Sequence, residues 1–210
     1  MQLDVIDILR CPASHAESFL VATIDDAVDG TIRSGRLGCP ICDARYEINA
    51  GALLMDAEAP PAGSLEPADD GAVTKVAALL DLADPGGTIL LSGGACALAR
   101  PLSALMDIGI IMLNPPAKIE GWGRATPLYT SKLALASGTL RGAWVDESSA
   151  RAIADVVTAT RAGGRIVAPA TLPVPRLVRE LVRDDAVWVG VRQADGGTPV
   201  TLRRAASPRT

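Results

Sequence analysis

This chain of 210 residues contains a single histidine, His15, and few aromatic side chains: three Trp, two Tyr and one Phe. So few rings leave little on which single-stranded bases could stack, and a net charge of −4 supplies no basic face for phosphates. Direct nucleic-acid binding is therefore not expected. Arg203, Arg204 and Arg209 read as a solvated basic tail, able at most to dock on an acidic partner. Long hydrophobic runs are missing too. The longest uncharged stretches, Gly86 to Ala99 and Ile108 to Ala117, are broken by glycine or proline and are too short to cross a bilayer. The opening segment carries Asp4 and Asp7 inside its apolar run and has no basic lead, unlike a secretory signal, so a cytoplasmic location is the default expectation. With 49% hydrophobic and 21% charged residues, the chain can bury a proper core.

Three of the four cysteines fall near the start. Cys11-Pro12 forms one knuckle and Cys39-Pro40-Ile41-Cys42 a second. Thiolates two residues apart can reach one ion while the loop turns its amides toward sulfur, and two such knuckles joined by short strands close a zinc ribbon. In the first knuckle Ser14 stands where a second thiol would sit. His15, one place further on, has the longer side chain that makes up the displacement. Cys11, His15, Cys39 and Cys42 are thus the candidate ligands for zinc, because so small a ribbon buries too little apolar surface to stand without a staple. Two other readings stay open. In one the site has decayed and His15 is a solvated loop residue; in the other Cys39 and Cys42 form a disulfide, which an intracellular setting disfavours.

The stretch Leu3-Asp4-Val5-Ile6-Asp7-Ile8-Leu9-Arg10-Cys11-Pro12, Asp29-Gly30, Leu37-Gly38-Cys39-Pro40-Ile41-Cys42 and Tyr46-Glu47-Ile48-Asn49-Ala50-Gly51 followed by Leu53, Leu54 and Met55 together resemble the zinc-ribbon activator family. That family comprises the small partner subunit of tRNA, rRNA and release-factor methyltransferases and its single-domain bacterial relatives. The resemblance covers residues 1–56. It departs from the family at Ser14 and at Glu47, where proline is frequent.

Ala57 to Gly71, rich in proline, alanine and acid, reads as an extended linker. A second domain is expected over 72–204, with 205–210 as a tail. Its pattern alternates. Val73 to Leu82 is expected as a helix, Thr88 to Leu91 as a strand, Cys96 to Met106 as a helix and Ile108 to Leu113 as a strand. Leu140 to Val145 is then a strand, Ser148 to Arg161 a helix stopped by Gly163-Gly164, Arg165 to Ala168 a strand and Pro175 to Val182 a helix. Ala186 to Val191 and Pro199 to Leu202 would close the domain as a hairpin across Asp195-Gly196-Gly197. Apolar strands interleaved with helices imply an α/β fold whose parallel sheet is covered on both faces.

Three segments, Pro85 to Gly94, Leu133 to Asp146 and Arg161 to Val167, resemble the first strand with its glycine loop, the fourth strand and the fifth strand of Rossmann-like class I methyltransferases that use S-adenosylmethionine. The resemblance implies a doubly wound sheet with a C-terminal antiparallel hairpin, and Gly93, Gly94 and Asn114 as the places where the cofactor would bind. Here the sequence departs from the family. Leu91 stands at the acidic position before the loop, Ala95 and Ala97 replace two of three glycines, and Asn114 replaces the carboxylate that holds the ribose.

Each of these residues also has a plain role. Gly93 and Gly94 can form the turn that any doubly wound sheet requires, and Asn114-Pro115-Pro116 can be a turn after the second strand. Asp146 sits where this fold places catalytic groups, but a carboxylate there also caps the helix starting near Ser148. Cys96 reads as a buried small side chain, with no histidine nearby to activate it. The expectation is a methyltransferase-like pseudoenzyme without catalytic residues. It would act as an accessory subunit that binds another protein or a larger complex, one that could lie peripheral to a membrane assembly. The alternative is an active S-adenosylmethionine-dependent methyltransferase with its zinc-ribbon activator fused in cis.

Overall fold

The computed structural model describes residues 1–56, 65, 68 and 70–195. Helix α1 (Leu3–Ile8) opens the chain. An antiparallel meander of β1 (Val21–Val28), β2 (Thr31–Gly38), β3 (Arg45–Asn49) and β4 (Ala52–Leu54) follows. Asp29 and Gly30 both take positive φ, 48° and 74°. That is the mirror-image turn whose twist suits a two-residue hairpin loop.

After α2 (Asp70–Leu79) come β5 (Thr88–Ser92), α3 (Ala99–Leu105), β6 (Gly109–Leu113), β7 (Ala125–Tyr129), β8 (Leu140–Trp144), α4 (Ile153–Ala159), β9 (Thr160–Pro169), β10 (Val178–Arg183) and β11 (Val187–Arg192). One sheet runs in the order β1-β2-β3-β4-β7-β6-β5-β8-β9-β11-β10. The pairs from β4–β7 through β8–β9 are parallel, and β11 pairs antiparallel with both β9 and β10. Counted from β5, the strand order is third, second, first, fourth, fifth, seventh, sixth, with the reversal between the first and fourth strands. This is the expected Rossmann-like, doubly wound α/β fold with an antiparallel closing hairpin, and its crevice lies beyond the carboxyl ends of β5 and β8.

Alternate residues of the central strands enter two cores. Leu90, Ile111, Leu113 and Ile166 face one side, where they meet Val156 and Val157 of α4 and also Val5, Leu9, Ile32, Leu37 and Ile48. Ile89, Leu91, Ile110, Met112 and Val167 face the other, under α2 and α3. The connections 114–124 and 130–139 contain no helix, so the N-terminal segment covers sheet surface that crossover helices would otherwise cover. Leu53 on β4 is fully buried where the meander joins β7. Leu53→Ala is expected to cost about 2–5 kcal/mol in urea unfolding.

Several expected elements are corrected. Pro175 to Val182 is not a helix: Val178–Arg183 is an edge strand, because Leu177, Val178, Leu181 and Val182 fit a helical spacing equally well and only pairing with β11 decides. The closing hairpin therefore joins β10 to β11, with the Asp184 carboxylate accepting from the amides of Ala186 (2.8 Å) and Val187 (2.7 Å). Pro199 to Leu202, Gly196-Gly197 and the 205–210 tail lie outside the described residues, as does most of the 57–71 linker. Gly163 and Gly164 do not stop a helix but lie within β9, where a Cβ at Gly164 would meet the Arg141 carbonyl at 2.6 Å. The helices expected from Cys96 and Ser148 begin instead as 3₁₀ turns, Gly93–Leu98 and Glu147–Ala152. Strand β7 was not expected and carries Pro127 in its middle. The Asn114 amide bonds Leu128 O while Met55 N bonds Tyr129 O, so the odd-numbered residues of β7 face β4. On that side pairing reaches only Leu128 and Tyr129, and the missing N–H of Pro127 breaks no ladder.

The α-amino group of Met1 is buried and donates to Ile32 O at 2.7 Å. Burial, reinforced by the charge of Arg33, pulls its pKa from 8.0 down to about 6. The folded state thus binds fewer protons than the unfolded chain between pH 6 and 8, and stability rises across that window, with the full gain reached above pH 8. Discounted for partial solvation, the gain is about 1 kcal/mol. Urea midpoints at pH 6 and 8, with zinc in excess, are expected to show the rise, and Arg33→Gln to reduce it.

Candidate functional site

Two places in the fold concentrate functional groups. The first is built by the N-terminal meander. Arg10 bridges Phe19 just before Cys11, and its guanidinium lies 3.7 Å from the Phe19 ring centroid. The second knuckle leaves β2 at Cys39 and closes when Asp43, at φ 56°, turns the chain into β3. Cys39 N donates to Ala44 O (2.9 Å), and Ile41 N points at the Cys39 sulfur from 3.4 Å.

This folding brings together all four residues singled out in the sequence. Their ligand atoms lie within 4.8 Å of one another. Cys11 Sγ is 3.7 Å from Cys42 Sγ, and His15 Nε2 is 3.3 Å from Cys11 Sγ and 3.4 Å from Cys39 Sγ. A tetrahedron with Zn–S near 2.3 Å and Zn–N near 2.0 Å has S–S edges of roughly 3.8 Å and S–N edges of roughly 3.5 Å, so the donor set fits a structural zinc ion. His15 Nδ1 lies 2.6 Å from Ala16 O, which can only accept. The ring proton is therefore on Nδ1, leaving the Nε2 lone pair free toward the sulfurs. The Tyr46 hydroxyl lies 3.2 Å from Cys11 Sγ. Burial opposes the Cys39 thiolate, but the amides of Cys42 and Ile41 and the neighbouring thiols outweigh it and bring its pKa down to about 6. Such a thiol loses its proton readily to a metal.

The second place is the crevice at the carboxyl ends of the parallel strands. Gly93 follows β5 with φ 52°, and any Cβ there would collide with the carboxylate of Asp146. That carboxylate accepts from Gly94 N (3.0 Å), Ser92 Oγ (3.3 Å), Ser148 Oγ (2.7 Å) and Ser149 N (3.2 Å), and caps the turn after β8. The Asp146 amide returns a bond to Ser92 Oγ at 2.8 Å. The Gly94 amide and the Ser92 hydroxyl at this glycine loop are therefore engaged by a side chain of the protein.

Asn114 ends β6 at φ 45°, and its amide is matched to one residue. Its Nδ2 donates to Thr130 O (2.8 Å) while its Oδ1 accepts from Thr130 N (2.9 Å). This pairing ties the end of β6 to the end of β7. Cys96 is fully buried, with its Sγ 3.3 Å from Leu91 O, and burial pushes its thiol pKa well up. Asp56 completes the edge by accepting from Thr130 Oγ1 (2.9 Å) and Ser131 N (2.7 Å). Burial opposes the charge of Asp56, but the Ser131 bonds prevail and hold its carboxyl below the usual range. Nothing local in the sequence marks Asp56 or Thr130, whose mutual bond spans 74 residues.

Compared by sequence, the chain matches no family model and no curated protein. Among solved structures it is similar to the tRNA (m1A58) methyltransferase TrmI from Aquifex aeolicus, with 10% identity and a TM-score of 0.43 over 84% of this chain and 96% of the other. An assigned S-adenosyl-L-methionine-dependent methyltransferase from Methanococcus maripaludis shows 9% identity and a TM-score of 0.43 over 61% and 86%. The [4+2]-cyclase SpnF shows 12% identity and a TM-score of 0.40 over 54% of this chain and half of its own length. At this identity the likeness is one of fold alone. Among the described residues no helix is long and apolar enough to cross a membrane.

Proposed function

We propose that this chain is a methyltransferase-like pseudoenzyme that serves as an accessory interaction subunit of a larger protein complex, with an activator-like ribbon held by zinc. The observation that carries this reading is Asp146. Its carboxylate occupies the space in front of Gly93 and uses the loop amide and hydroxyls that would otherwise receive a nucleoside ligand. The engagement of Asn114 with Thr130 supports the same reading from the neighbouring strand. The one histidine of the chain stands in the Cys/His cluster, so no imidazole serves the crevice as a base. What remains useful is surface, and a protein partner, including one belonging to a membrane-peripheral assembly, fits that role.

The test is calorimetric titration of the zinc-loaded chain with S-adenosylmethionine and S-adenosylhomocysteine. No heat of binding up to millimolar ligand is the expected result. Micromolar binding would favour a working methyltransferase with its activator in cis and would end the pseudoenzyme reading.

A further inference from the structure

The segment that carries the first metal ligand is zipped onto the long connection between β7 and β8. Ala136 N donates to Ile8 O (2.7 Å), Arg10 N donates to Ala134 O (2.9 Å), and Leu9 bridges Leu135 antiparallel. One residue past Cys11, the Pro12 carbonyl accepts from Lys132 Nζ at 2.9 Å. The connection 130–139 has no helix or strand of its own, so its order depends on partners outside it. It is also held at Ser131, whose amide donates to Asp56 (2.7 Å), at Gly138, whose amide donates to Thr158 O (3.1 Å), and at Thr130. The Thr130 hydroxyl accepts from the Lys132 amide (3.2 Å) and donates to Asp56 (2.9 Å), while its backbone holds the Asn114 side-chain amide at the crevice. An unbroken path of hydrogen bonds therefore runs from Pro12, beside Cys11, through Lys132 and Thr130 to Asn114.

Cys11 is buried in the N-terminal core; outside the Cys/His set its thiol lies by the Tyr46 hydroxyl, and its amide bonds Ser18 O (3.1 Å). Residues 12–17 of this knuckle have no helix or strand and are largely exposed, and local opening is drawn from such regions. We infer that the Cys/His centre acts as a clip: metal loading orders the 130–136 connection through Lys132 and so fixes Asn114 at the mouth of the crevice. This rests on the proposal that the ribbon binds zinc, but not on whether the crevice is catalytically silent.

Hydrogen exchange of the full chain, zinc-loaded and after chelation, tests the clip directly. The amides of Thr130 to Ala136 are expected to exchange at least about tenfold faster without zinc, while those of β11 stay within about twofold. Equal rates in both states overturn the inference, as does a loss of protection that spreads equally to β11, since the ion would then hold the whole fold rather than this connection. In the zinc-loaded Lys132→Met variant, elemental analysis is expected to show unchanged metal content while the same amides exchange several-fold faster. Unchanged exchange in that variant overturns the inference alone. A wild-type chain that takes up no zinc overturns the inference together with the metal reading on which it rests.

Discussion

Removing the zinc ligands is expected to lower stability sharply: Cys39→Ser should take metal content from one ion per chain to near zero and lower the thermal midpoint by about 10 °C. Structural zinc in small peptides supplies an apparent 10–16 kcal/mol, because the ion binds only the folded state. Here the loss is smaller. Leu37, Tyr46 and Ile48 of the meander stay packed against the central sheet through the shared core, and that burial does not depend on the ion. A cost of about 3–5 kcal/mol remains, equivalent to about 10 °C in a domain of this size. Differential scanning calorimetry with parallel elemental analysis checks it. A zinc-free preparation that melts at the same temperature as the untreated protein would sink the assignment of the centre.

The second large effect is expected at Gly93. An alanine there must adopt a left-handed backbone, at about 1–2 kcal/mol, and must also displace the Asp146 carboxylate from its hydrogen bonds, at about 1–3 kcal/mol more. Gly93→Ala should therefore destabilise by about 2–5 kcal/mol in urea unfolding. Asp146→Ala alone removes the cap and leaves the Gly94 amide without its acceptor, for about 2 kcal/mol. The two changes remove the same contact, so the double variant should cost at least about 1 kcal/mol less than the sum of the singles. Strict additivity would show that the carboxylate does not fill the space before Gly93.

Much of the candidate site was legible from residue types at short spacing. Cys39 and Cys42 two residues apart can close on one ion only by the turn they make, and the displacement from Ser14 to His15 is matched by the reach of an imidazole. The glycine loop after β5 and the strand ending at Asp146 were likewise visible as motifs. Their relation was not, because the Asp146 contact with Gly94 spans 52 residues. The same holds for Asp56 on Ser131, 75 residues away. Such distant partners are invisible to any local pattern.

Composition and periodicity pointed to the α/β class and to the apolar strands β5, β6, β8 and β9, since each follows from side-chain chemistry within one or two turns of chain, while knuckle spacing pointed to the Cys/His set, whose members lie up to 31 residues apart. Only tertiary structure decided that Val178–Arg183 is a strand, that Pro127 is tolerated in β7, and that the last strand of the N-terminal meander extends the central sheet. In each of these cases the local preference was ambiguous or opposed. The free energy that settled it came from pairing with, or burial against, residues far away in the chain.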